Sequence, residues 1–120
     1  GQIAGGEGAV VVASDTVGKR IAIYTASDVI RLHQYGNTDG TPWGVAWDAG
    51  RKLAWATTTD NNLLHAYTIA AGVPENVGTM DTVADARNIA VLGDGTLVAA
   101  SASGDGLQFI SDPQLSKSPR

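Results

Sequence analysis

The sequence predicts an all-β chain: a β-propeller fragment of about three four-stranded blades, incomplete at both ends. Three observations lead there. One pattern of apolar runs returns every 43 to 44 residues. The runs are short and separated by turns rich in Gly, Asp and Asn. The composition also suits tight turns, with 15 glycines among 120 residues and only 17 % charged residues. Globular domains usually carry about 25 % charged residues, and a helical chain would show i,i+4 charge partners that this one lacks.

The recurrence is seen by laying the chain on itself. Val10-Val11-Val12-Ala13-Ser14, Leu53-Ala54-Trp55-Ala56-Thr57 and Leu97-Val98-Ala99-Ala100-Ser101 follow one another at spacings of 43 and 44. A polar turn follows each run, and then a second apolar run with an aromatic: Ile21 to Tyr24, Leu64 to Tyr67 and Leu107 to Ile110. Before them stand Gly44-Val45-Ala46-Trp47-Asp48 and its match Asn88-Ile89-Ala90-Val91-Leu92, with a weaker counterpart at Gly1 to Gly5. The turns at Ala49-Gly50-Arg51 and Gly93-Asp94-Gly95 supply positive φ for tight hairpins.

More variable fourth strands are expected at Val29 to Gln34 and Asn76 to Met80. Asp112-Pro113 ends the third unit after its third strand. The units are therefore blade 1 at 1–42 with its first strand truncated, blade 2 at 43–86, and blade 3 at 87–112 without an outer strand. Residues 113–120 read as a disordered tail. A four-strand unit at this period is the mark of a propeller, whereas a β-sandwich has no reason to repeat. Alternation then places Val45, Trp47, Leu53, Trp55 and their counterparts against neighbouring blades.

"TPWGVAWDAGRKLAWATT" and "ARNIAVLGDGTLVAAS" resemble the blade signature of the NHL/YVTN-type propellers, a motif shared with gluconolactonase-like and paraoxonase-like families. The resemblance covers nearly the whole chain. It implies a fold more than an activity, because the motif consists of packing and turn residues. In the gluconolactonase-like enzymes, asparagines at the start of the inner strand ring the axis and bind a divalent metal. Asn88 matches that position and is the one candidate ligand for Ca²⁺, a hard ion that takes oxygen. The second unit has Trp43 and Gly44 there instead.

Net charge is −4, and the basic residues never cluster beyond two, so a nucleic-acid footprint is not expected. The chain has no cysteine, which excludes disulfides, thiolate metal sites and cysteine nucleophiles. No apolar run is long enough to span a membrane. His33 and His65 read as structural or surface residues, and Asp48, Asp60, Asp94 and Asp105 as turn residues.

Trp43, just ahead of an inner strand, is a candidate ligand contact, with Arg87 in its register one unit later. No other cofactor is expected. These residues favour a non-catalytic binding or structural module over two alternatives: part of a metal-dependent lactonase or esterase-type hydrolase, or a carbohydrate-binding propeller. The expected partners are further blades, either copies of this chain or the remainder of a larger one. A protein, small ligand or carbohydrate is expected at the axial face.

Overall fold

A computed structural model describes residues 3–5, 10–16, 18, 20–26, 30–37, 40–48, 50–70, 73–104 and 106–116. Among these there is no helix, and eleven strands form three open antiparallel sheets. The first sheet runs β1 (Ile3–Gly5), β2 (Val10–Asp15), β3 (Arg20–Ala26) and β4 (Ile30–Asn37). The second runs β5 (Pro42–Asp48), β6 (Leu53–Thr58), β7 (Leu63–Ala70) and β8 (Val73–Asp81). The third has β9 (Ala86–Val91), β10 (Leu97–Ser101) and β11 (Leu107–Ile110). Each strand pairs only with its sequence neighbours, so every sheet is an up-and-down meander with the order of the chain. Both fourth strands run longer than their apolar patterns suggest, because β4 and β8 continue pairing past Gln34 and Met80.

The sheets stack face to face, with β1, β5 and β9 side by side. Between the first and second sheets, Ile21 packs on Val45, Ala54, Ala56 and Tyr67. Between the second and third, Ala46, Trp55, Leu64 and Ala66 meet Ala86, Ile89, Leu97, Ala99 and Ile110. Trp55 and Leu64 are wholly inaccessible. Gly44 permits the close approach of β5 to β9, since a Cβ there would lie 3.0 Å from the Asn88 backbone.

The ladders correct one reading. Ala54 pairs with Tyr67, and Leu97 pairs with Ile110, so Leu97 corresponds to Ala54 rather than to Leu53. The second and third strands thus share a 43-residue spacing and the first strand a 44-residue one, because the β9–β10 turn is one residue shorter than the β5–β6 turn. A slip of one residue turns every side chain to the other face. Accordingly Trp55 does not share a face with Val45 and Trp47: it lies opposite Ala46 and packs against the third sheet.

The hairpin turns also differ from expectation in one detail. The left-handed residue is Lys52 (φ 57°) in the second sheet and Gly95 (φ 90°) in the third. Gly95 pays no steric cost for this, whereas Lys52 carries a Cβ into a region L-residues rarely adopt. Asp94 behaves as a turn residue: its carboxylate accepts the Thr96 N–H, which holds its pKa below the ordinary 3.8. Asp105 lies outside the described residues.

Residues 113–116, assigned by composition to a disordered tail, lie along the outer edge of β8. Thr79 and Ser116 exchange both backbone hydrogen bonds, at 2.9 and 2.8 Å, and Leu115 packs on the core beside Val77 and Met80. An edge strand has unpaired N–H and C=O groups, and this short segment satisfies two of them.

Candidate functional site

At one end of the stack the sheets are tied together by side chains that the sequence singled out. β5 carries a bulge there: Pro42 pairs with Thr58 and Val45 with Ala56, so Trp43 and Gly44 face the single residue Thr57. β9 bulges at the corresponding place, with Ala100 opposite Asn88 and Ser101 opposite Ala86, leaving Arg87 as the extra residue. Bulges re-aim side chains. The result brings Arg87 over the Trp43 ring, its guanidinium carbon 4.4 Å from the ring centroid. Arg87 Nε also donates to Asp85 Oδ1 at 2.9 Å.

The backbone beneath this pair is fixed by side chains of the first and second sheets. Ser14 Oγ donates to the Trp43 carbonyl at 2.7 Å, and Thr16 Oγ1 to the Pro42 carbonyl at 2.8 Å, tying the first sheet to the second. The Gly44 N–H donates to Thr57 Oγ1 at 2.9 Å. Asp60, at the β6–β7 hairpin tip, accepts the Thr41 N–H at 2.8 Å. Asn62 (φ 53°) accepts the Asp85 N–H at 3.1 Å through its side chain. Asp60 and Asn62 therefore do more than turn the chain, because each clamps a neighbouring loop.

Asn88 stands next to Arg87 but on the outward face of the third sheet, where it is exposed. Its register neighbours on that face, Ala100 and Leu107, are apolar. Ca²⁺ takes about six to eight oxygen ligands, and neither of these two neighbours supplies one from its side chain. Among the described residues no group of three or more His, Cys, Asp or Glu gathers.

His65 is fully buried in β7. Asn76 Nδ2 lies 3.2 Å from His65 Nδ1, and Nε2 lies 3.1 Å from Thr58 Oγ1. The Asn76 carbonyl oxygen accepts the Gly78 N–H, which turns its NH₂ towards the imidazole. Nδ1 therefore accepts, and the proton sits on Nε2. Thr58 in turn donates to Asn61. This is a closed structural network. The side chain of His33 lies outside the described residues, while its backbone is the unpaired residue of a bulge between Leu32 and Gln34.

The opposite end is held by Asp48, which is 2 % exposed. Its Oδ2 accepts from Arg51 at 2.6 Å and from Trp55 Nε1 at 3.1 Å, and Arg51 also donates to the Gly95 carbonyl of the third sheet. Burial alone would raise the Asp48 pKa, but the Arg51 and Trp55 donors outweigh it and bring the carboxyl below its ordinary 3.8. Sequence reasoning assigned Asp48 to a turn. The available signal was the pattern Asp48–Arg51–Trp55, an acid with a cation and an indole three and seven residues on. A cleft of about 420 Å³ opens beside this cluster, between Gly50 and residues Val91 to Gly95.

A scan against protein-family models finds no match, and no curated protein sequence matches the chain significantly.

Proposed function

We propose that the chain is a non-catalytic propeller-type module of the kind its NHL/YVTN-like motifs suggest, completed by further blades. On this reading the three sheets are blades, and the Trp43–Arg87 end is the surface offered to a partner or ligand. One observation carries the reading. The face of the second sheet that bears Leu64 is covered by the third sheet, whereas the equivalent face of the third sheet is bare. Leu107, 43 residues after Leu64, is 59 % exposed, and Phe109 beside it is 65 % exposed. Covering an apolar side chain contributes roughly 1.5–3 kcal/mol, so covering these two is a substantial drive to association.

The Trp43–Arg87 end fits recognition better than catalysis. Arg87 is held by Asp85 and the indole, and His65 is enclosed in its own network. A preorganised aromatic–guanidinium surface suits an anionic or planar group on a partner.

The test uses the whole chain and the double variant Leu107→Asp/Phe109→Asp. Wild type should associate on concentration or bind the apolar dye ANS. The variant should keep the β circular-dichroism spectrum and lose both properties. A wild-type chain that neither associates nor binds dye contradicts the reading.

A further inference from the structure

We infer that the open edge of β11 receives one extended strand of a partner polypeptide, and that residues 113–116 are a strap holding its place. The partner strand is apolar at alternate positions and basic at its ends. The inference concerns an edge rather than the face treated above, and it does not depend on what covers that face.

The first two sheets each have a fourth strand, β4 and β8, whereas the third ends at β11. Backbone groups in an antiparallel ladder turn alternately to one neighbour and to the other. The Ser101 N–H donates to the Gly106 carbonyl at 3.0 Å, so the backbone groups of Gln108 and Ile110 face β10 as well. Those of Leu107 and Phe109 then face the open edge. Leu64 and Ala66, 43 residues earlier, use the same groups to hold Met80 and Gly78 of β8. Charge, proline and bulges are the usual means of closing an edge, and β11, Leu-Gln-Phe-Ile, has none of them.

β8 lies one strand farther out than β11, so the open edge overhangs it. A single strand fits above β8. The edge of a second stack does not, because its own sheets would meet β8. The strap shows what this seat accepts. Leu115 packs with Val77 and Met80 directly over Gly78, where an added Cβ would stand 2.7 Å from the Leu115 Cβ. Thr79 exchanges both backbone hydrogen bonds with Ser116. Leu115 is nonetheless only half-buried, and a cleft of about 340 Å³ stays open between Met80, Asp81 and Gln114. A strand on β11 directs the side chain between its two paired residues into the place of Leu115. The strap and the strand therefore exclude each other.

The rim sets the partner's charge. Asp81, which pairs with Leu63, lies at the Leu107 end of the seat, and Asp112 lies just past Ile110. Both are exposed, and Asp112 accepts a hydrogen bond from Gln114 of the strap at 3.0 Å. A cation at either end of an incoming strand is attracted there, and an anion repelled. In this mode of recognition the backbone supplies affinity and alternate side chains supply specificity.

The test uses the whole chain and the labelled peptide Lys-Thr-Val-Thr-Leu-Thr-Val-Thr-Lys, followed by fluorescence anisotropy. Leu115→Ala should bind it about tenfold tighter than wild type, since the strap loses most of its apolar contact. Exchanging both lysines for glutamate should weaken binding. N-methylation of the two threonines beside the leucine removes the N–H donors for β11 and should abolish binding. In the complex, hydrogen exchange should slow at the Leu107 and Phe109 amides and quicken at Thr79 and Ser116 as the strap leaves.

Binding that leaves exchange at Leu107 and Phe109 unchanged overturns the inference. So does a Leu115→Ala chain that binds no tighter than wild type, or an absence of binding by both. None of these results bears on association through the Leu107 and Phe109 side chains, which is read with no peptide present.

Discussion

Leu64 and Leu107 occupy corresponding places in two sheets, opposite Thr57 and Ala100, and one is fully buried while the other, on the edge strand of its sheet, is 59 % exposed. The strand sequences alone do not make that difference. It arises because the second sheet lies between two others and the third lies on one, and because β8 flanks Leu64 while β11 is an edge strand. Burial here belongs to the stack rather than to the strand, so the energetic weight of a residue depends on whether its file is covered.

The comparison makes graded predictions, each checked by urea unfolding at low protein concentration. Trp55→Ala should have the largest effect, about 3–5 kcal/mol, because the ring fills the junction of the second and third sheets and its Nε1 holds Asp48. Leu64→Ala should cost about 2–5 kcal/mol, whereas Leu107→Ala should cost well under about 1 kcal/mol in the dilute chain. Equal losses at the two leucines would show that the third sheet's outer face is covered within one chain.

Asp48→Ala should cost about 2–3 kcal/mol, since it leaves the buried Trp55 Nε1 and the half-exposed Arg51 without their acceptor. The same carboxylate gives a pH dependence of known sign. Its folded pKa lies below 3.8, so its contribution is intact above about pH 4 and is lost as pH falls through the lowered value. Acid unfolding of Asp48→Asn should lack that part of the slope, although Asp94, also lowered, keeps its own share. An unchanged acid transition would mean that the Asp48 cluster does not tie the sheets.

The smallest effect is expected at the other end. Arg87→Ala should cost about 0.5–1 kcal/mol, the value of a cation–π contact at a partly exposed site. Quenching of the Trp43 fluorescence should change in the same variant. If neither stability nor fluorescence moves, the Trp43–Arg87 contact does not form in solution.

Much of the fold was legible in the sequence because hairpin meanders are local: each strand pairs with the next, and the Gly, Asp and Asn turns mark the breaks. The positions of β2, β3, β6 and β7 followed from apolar runs, although β3 and β7 extend beyond Ile21 to Tyr24 and Leu64 to Tyr67 at both ends. The face of Trp55 was not legible, because the apolar runs align as well at a spacing of 44 as at 43 and only the ladder decides. The bulges at Trp43 and Arg87 were likewise hidden, since a bulge changes pairing without changing residue type.

Composition hid two further features. Leu115 and Ser116 sit in a polar stretch, yet the Ser116 backbone bonds to Thr79 of β8 and the Leu115 side chain packs on the core. Asp48 resembles every other aspartate before a glycine turn until Arg51 and Trp55 are seen to converge on it. The candidates Trp43 and Arg87 were found by their register, and the structure adds that they touch.

The most direct test of the bare face is the melting temperature as a function of protein concentration. If covering Leu107 and Phe109 completes the stack, the wild-type melting temperature should rise with concentration. That of Leu107→Asp/Phe109→Asp should stay flat at the dilute wild-type value. A wild-type melting temperature that does not depend on concentration, matched by that of the variant, would contradict the account.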